Sequence, residues 1–161
     1  MNTVDRSSGE FRDALELYER ASLLELGDLA DRVRWRLHPE PVVTYIIDRN
    51  INYTNVCVTA CRFCAFYRPH NSPECWTLSH DELLARVGEA VALGATQVMI
   101  QGGHHPDLGI DWYERLLARI KREHPAVAVH SLGPPEVVHI AAVSGLDSVE
   151  VLTRLRDAGL D

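Results

Sequence analysis

Long apolar runs are missing from this sequence, and so is any block of like charge. No stretch stays apolar long enough to span a bilayer, and the first residues do not read as a secretory signal. Basic residues are the minority, with 16 Lys and Arg against 23 Asp and Glu, a formal net charge of −7. Nothing in that balance suggests a nucleic-acid or membrane partner. A disordered tail would need a charge block, and there is none. Cysteine is sparse as well: there are four, three of them crowded together. That is a poor disulfide framework and a better reduced metal site, so the expected compartment is the cytoplasm. The eight histidines are scattered and signal nothing by themselves. What remains is ordinary globular composition, 46% hydrophobic and 24% charged over 161 residues, enough to bury a single core.

The crowded cysteines lie in Cys57-Val58-Thr59-Ala60-Cys61-Arg62-Phe63-Cys64, spaced C-x3-C-x2-C. Thiolates that close can grip one soft metal centre. A structural zinc site normally closes with four protein ligands, and most cubane iron–sulfur clusters use four cysteines. Three leave one position for something that is not a protein side chain. Spacing alone leaves other readings open: buried small hydrophobes, a zinc site completed by a distant His, or a disulfide pair with a spare thiol. The flanks favour a metal loop. A β-branched, aromatic run from Val42 to Val56 precedes it, and a helix signal and a Gly-Gly turn follow.

Along the chain, residues 1–9 are polar and read as frayed. Phe11, Ala14, Leu15 and Tyr18 fall on one face of a short helix. Ser22-x-x-Glu25 is a capping-box signature, followed by the stripe Leu26, Leu29, Ala30, Val33 and Leu37, which Pro39 and Pro41 stop. Val42–Ile47 reads as a strand, Asp48-Arg49-Asn50 as a turn or bulge, and Ile51–Val56 as a resumed strand. Ser79 with Glu82 opens a helix, with Leu83, Leu84, Val87, Ala90 and Val91 inward and Gly94 as its left-handed cap. Gln97–Ile100 is a second strand, ending at Gln101-Gly102-Gly103. Asp111 to Lys121 is a helix with Trp112, Leu116, Leu117 and Ile120 inward. Val127–His130 is a third strand. Pro134-Pro135-Glu136 starts a short helix, and Ser148 caps another that ends at Gly159. Strands alternating with helices imply a parallel α/β sheet with ligands at the carboxyl ends of its strands. The cysteine loop, Gly102-Gly103 and His130-Ser131 all fall at such ends.

With Phe63 just before its last cysteine, the motif resembles the cluster motif of the radical S-adenosylmethionine enzymes. Further stretches narrow the likeness: Asn50-Ile51-Asn52-Tyr53-Thr54-Asn55-Val56 before it, Ala65-Phe66-Tyr67-Arg68 after it, then Gln101-Gly102-Gly103 and Pro106-Asp107-Leu108. Together they are similar to the dehypoxanthine futalosine cyclases of the futalosine route to menaquinone. The aminofutalosine synthases and deazaflavin synthases are near relatives. The likeness runs from about Val42 to Asp161. It implies the N-terminal part of a TIM-type βα barrel, about three βα units over residues 42–161, after a helical cap over residues 1–41. A complete barrel takes roughly 200–250 residues, so the chain is expected to be the first part of a longer protein.

The resemblance also implies roles. Cys57, Cys61 and Cys64 would hold three irons of a 4Fe–4S cluster, with S-adenosyl-L-methionine on the fourth. Phe63 would lie near the adenine, and the Gly102-Gly103 turn near the methionine amino group. His130 and Glu136 are candidate substrate contacts or proton-transfer groups. Equally simple readings are a strand-end histidine bonded to backbone and a glutamate near a helix dipole. Tyr53, Asn55, Tyr67 and Arg68 could line the pocket. Cys75 departs from the family pattern and reads as a small hydrophobe. His104-His105 departs from the cyclase pattern towards the aminofutalosine synthases, and adjacent histidines in extended chain point to opposite faces, which speaks against the pair as metal ligands. The implied substrate is a nucleoside, dehypoxanthine futalosine, and the implied electron donor is a flavodoxin or ferredoxin. The alternatives are an aminofutalosine synthase, or a fragment that binds a cluster and catalyses nothing.

Overall fold

The computed structural model describes residues 9–161; the stretch 1–8 read as frayed and the Phe11 side chain lie outside what it describes. The chain divides into two compact units, Met1–Thr44 and Tyr45–Asp161. The first holds α1 (Gly9–Arg20) and α2 (Leu23–Leu37). The capping box forms as expected: the Ser22 hydroxyl accepts the Glu25 N–H, and the Glu25 carboxylate accepts the Ser22 N–H. The apolar stripe of α2 buries no residue.

In the second unit a three-stranded parallel sheet runs in the order β1 (Asp48–Asn52), β2 (Gln97–Gln101), β3 (Ala128–Ser131). The crossovers are α3 (His80–Ala92) and α4 (Ile110–Glu123), and α5 (Pro134–Ser144) and α6 (Ser148–Ala158) follow β3. This is the expected βα alternation, with the first strand displaced. Val42–Ile47 is not a strand, Asp48-Arg49-Asn50, taken for a turn, is the body of β1, and the strand read over Ile51–Val56 ends at Asn52, with only isolated bridges at Thr54 and Val56 beyond it. Ladder pairing sets in only at Ile47, whose carbonyl accepts the Thr96 N–H, and Val42, Val43, Tyr45 and Ile46 stay exposed.

The register explains why β1 is so polar. Arg49, Val98 and Val129 lie side by side, as do Ile51, Ile100 and Ser131. This set turns towards the helices. Ile51, Val98, Ile100 and Val129 are buried there with Leu83 and Val87 of α3, Leu116 and Ile120 of α4, Ile140 of α5 and Val151 and Leu155 of α6. Arg49 joins them by donating to the Arg86 carbonyl and the Glu89 carboxylate of α3. The alternate set, Asn50 beside Met99 and His130, and Asn52 beside Gln101, turns to the other face. There the Asn50 amide donates to Gln101 Oε1 at 2.6 Å.

Helix ends follow local chemistry. Ser79 and Glu82 form the expected box on α3, and Gly94 takes φ +87° just past its end. Tyr113 is buried on α4 along with the expected Leu116, Leu117 and Ile120, while Trp112 is only partly buried. The cap of α6 is Asp147, not Ser148: the Asp147 carboxylate accepts the Val149 N–H at 2.8 Å, and Ser148 is the first helical residue. Replacing Asp147 with Ala should therefore lower the unfolding free energy by about 1 kcal/mol, read from urea midpoints at unchanged slope. Ser148→Ala should shift the midpoint much less.

Candidate metal centre and its cavity

After Asn52 the chain buries four residues in a row, Tyr53, Thr54, Asn55 and Val56, and then reaches Cys57. Asn55 ties together both feet of the loop that carries the cysteines. Its amide nitrogen donates to the Glu74 carbonyl and its Oδ1 accepts the Trp76 N–H, each at 2.9 Å. Its own carbonyl accepts the Arg68 N–H at 2.7 Å. The Thr54 hydroxyl bonds the Trp76 carbonyl at 2.7 Å. Burying these polar groups is tolerable only because they are paired. Arg68 braces the loop from within, donating to the Ala65 and Tyr67 carbonyls and to the Glu74 carboxylate. Asn55 and Tyr53, read as pocket residues, are scaffold, and neither they nor Tyr67 and Arg68 line the cavity.

The Gly102-Gly103 turn presses onto this segment. A Cβ on Gly102 would sit 2.5 Å from the Tyr53 ring, and one on Gly103 would sit 2.1 Å from the Val56 carbonyl oxygen and 2.7 Å from Cys57 Cβ. The absent side chains are thus required by the protein's own packing, whatever Gly102, which also lines the cavity, does towards a ligand. The Tyr53 hydroxyl donates to the Gly103 carbonyl at 3.2 Å, which leaves Tyr113 to donate to Tyr53 at 3.1 Å. Burial pushes both phenols up, Tyr113 to about 12, so both stay protonated and both serve as donors.

All four cysteines are half-buried free thiols. Burial pushes the Cys57 thiol up. Backbone N–H groups of His104, Thr59 and Ala60, with the Thr59 hydroxyl, outweigh that and bring it below the ordinary thiol value. Such a nest of donors favours the thiolate, the form that ligates metal. Ala60 takes a left-handed φ of +49° in the bend, and the Cys64 N–H returns to the Cys61 carbonyl at 3.0 Å. This donor set fits a soft iron–sulfur centre. Cys75 belongs elsewhere: its Sγ bonds the Pro69 carbonyl at 3.0 Å.

A cavity of about 860 Å3 opens on the polar face of the sheet. Asn50, Asn52, Met99 and Gln101 form its floor, and Phe63, Cys64 and Phe66 of the cysteine loop form one wall. His130, Ser131, Leu132, Gly133 and Glu136 form the opposite wall. Strand β3 and helix α5 thereby place His130 and Glu136 on the same cavity as the third cysteine. Phe63 is 91% exposed at the rim. Met99, Phe66 and Leu132 were not singled out in the sequence. The signal for the floor was there in the alternation of Asn50 and Asn52 about Ile51.

His104 and His105 part company, as extended backbone dictates. His104 bonds the Thr59 hydroxyl at 2.7 Å through Nδ1, faces Glu136 at 3.6 Å through Nε2, and stacks on His139. It thus joins the cysteine loop to the far wall. His105 is buried against His70 and Asp107, and burial holds its imidazole below the usual histidine value.

A family model for the radical SAM superfamily matches residues 51–161. The chain is 51% identical over 152 residues to cyclic dehypoxanthine futalosine synthase of Streptomyces coelicolor, covering 92% of this chain and 38% of that protein. It is 44% identical over 149 residues to the protein of the same name from Halalkalibacterium halodurans, covering 92% and 40%. The chain therefore spans about two fifths of the curated relatives it matches. Among solved structures, methylornithine synthase aligns over 92% of this chain and 52% of its own with a TM-score of 0.58 at 14% identity, a likeness of fold.

Gly103→Ala has no space to relax into, because the atom it meets is backbone. It should destabilise the chain by about 1–3 kcal/mol in denaturant titration. It should also change the alkylation rate of Cys57, mapped by peptide mass spectrometry, while Cys75 reacts as before.

Proposed function

The chain belongs to the radical SAM superfamily, and from that premise we propose that it is the cluster-holding part of a cyclase that converts dehypoxanthine futalosine to its cyclic form. Its three βα units are part of a TIM-type barrel, and the helices α1 and α2 precede them in the chain. The observation that carries the proposal is that Phe63 and Cys64 share one cavity with the polar inner face of the sheet and with His130 and Glu136. The similarity to two proteins named for that product supports the choice of reaction.

Cys57, Cys61 and Cys64 would hold three irons of a 4Fe–4S cluster. When bound, the cluster with S-adenosylmethionine on its open iron supplies a 5′-deoxyadenosyl radical by one-electron cleavage of the sulfonium. The chain's own residues bind, orient and exclude competing reactions. The N–H donors around Cys57 offset negative charge on its sulfur. Gly102 and Phe63 would flank S-adenosylmethionine at the rim. Asn50, Asn52 and Gln101 offer amides to the hydroxyl groups of a nucleoside. His130 and Glu136, which line the same cavity, would hold or accept a proton from the substrate. The partners are then a small nucleoside and a reducing flavodoxin or ferredoxin, in the cytoplasm. No helix among the described residues is long and apolar enough to cross a membrane.

Anaerobic reconstitution should give about four irons and four sulfides per chain. Cys57→Ala, Cys61→Ala and Cys64→Ala should each lose them, and Cys75→Ala should keep them. A single zinc without sulfide would overturn the cluster assignment. With substrate, on the full-length protein, mass spectrometry should find free 5′-deoxyadenosine. Adenosyl carbon retained in the product would mean an aminofutalosine synthase.

A further inference from the structure

His70, His105 and Asp107 meet outside the cavity lining, and none of them has a part in the function above. One nitrogen from each imidazole and one carboxylate oxygen lie within 4.8 Å of one another. His70 Nε2 stands 3.6 Å from Asp107 Oδ2, and the two imidazoles meet edge to face with centroids 5.6 Å apart. His105 is fixed. It is buried, its Nδ1 accepts the Asp107 N–H at 3.1 Å, and its carbonyl accepts from His139 Nε2 at 3.0 Å. His70 and Asp107 are exposed and free to adjust.

We propose that His70, His105 and Asp107 form a site for a divalent first-row transition-metal ion, separate from the three cysteines. Two imidazoles and a carboxylate are a donor set of borderline softness that suits Zn2+ or Fe2+ and leaves coordination positions for water. A tetrahedral ion with bonds of about 2.0–2.2 Å spaces its donors by about 3.4 Å. The present separation closes to that by rotation of the exposed His70 and Asp107 side chains, with the ion displacing the Asp107 N–H from the His105 Nδ1 lone pair. An ion there binds two segments that are remote in sequence. One is the second half of the cysteine loop, which carries His70. The other is the turn from Gly103 to α4, which carries His105 and Asp107. Both segments bear on Cys57: the Arg68 carbonyl accepts the Cys57 N–H, and the His104 carbonyl accepts the Val58 N–H. The ion would clip the cysteine loop to that turn through residues that do not line the cavity.

The site stands apart from the cluster assignment and is tested apart from it. In the 161-residue chain carrying Cys57→Ala, Cys61→Ala and Cys64→Ala, Zn2+ titrated against a chromogenic chelator should bind at about one equivalent. His70→Ala and Asp107→Asn, both at exposed positions, should each weaken it at least tenfold. Zn2+ should also slow proteolysis in the Pro69–Pro73 segment several-fold, and His70→Ala should abolish that protection. Should the triple variant fail to fold, Co2+ is added to the wild-type chain instead. Part of the ligand-field absorption should then be lost in His70→Ala while the thiolate charge-transfer band from the cysteines is unchanged. Zn2+ affinity or a Co2+ band that is indifferent to both His70→Ala and Asp107→Asn overturns the site, as does a folded chain that takes up no ion after the thiolates are removed.

Discussion

Two backbones meet too closely for a side chain between them. The turn after β2 crosses the exit of β1 with Gly103 against the Val56 carbonyl and Gly102 against the Tyr53 ring. Only glycine leaves room for both. The Gly103 N–H then reaches the Thr54 carbonyl, and the Tyr53 hydroxyl reaches the Gly103 carbonyl. This contact sets where Cys57 begins, and so where the other cysteines can go. Interiors packed at such density do not deform gradually. A metal loop that would otherwise wander is seated on the rigid end of a sheet, the arrangement that gives a bound group a defined position.

The sheet divides its chemistry by face. Outward residues are mostly aliphatic and packed against four helices, with Arg49 bonded to α3 among them. Inward residues are amides, a methionine and a histidine, and they form a cavity floor. Because side chains alternate strictly along a strand, five residues of β1 serve both duties. Ile51 anchors the core, while Asn50 and Asn52 present amides to whatever occupies the cavity.

That division also explains what could be read from the sequence. Both Ser-x-x-Glu boxes, the left-handed Gly94 and the order of βα units were legible, because each rests on chemistry within a few residues. β1 was misplaced because a strand whose inner face is polar looks like a turn, while the exposed Val42–Ile47 looks like a strand. The cap of α6 slipped by one residue because Asp147 and Ser148 are both good caps and only geometry chooses. The cysteine loop and the Gly-Gly turn were legible as motifs, but the reason for the glycines was not. It lies in Tyr53 and Val56, on a different strand's exit. The same distance hid His70 from His105 and Asp107. Considering the two adjacent histidines as a pair said correctly that they diverge, and said nothing of what each would meet.

Asn55 closes the cysteine loop at its feet, from Arg68 to Trp76, and this makes the loop's two halves unequal. Closing a loop becomes only logarithmically harder as the loop grows. Once the feet are clamped, extra residues between Tyr67 and Glu74 would lengthen an exposed excursion and leave the clamp where it is. Residues added between Cys57 and Cys64 would alter the spacing of the thiols themselves. The first half of the loop is thus a ruler and the second half a tether. Apart from His70, the tether can then vary in length and in decoration, while the ruler admits change only in the residues between its cysteines.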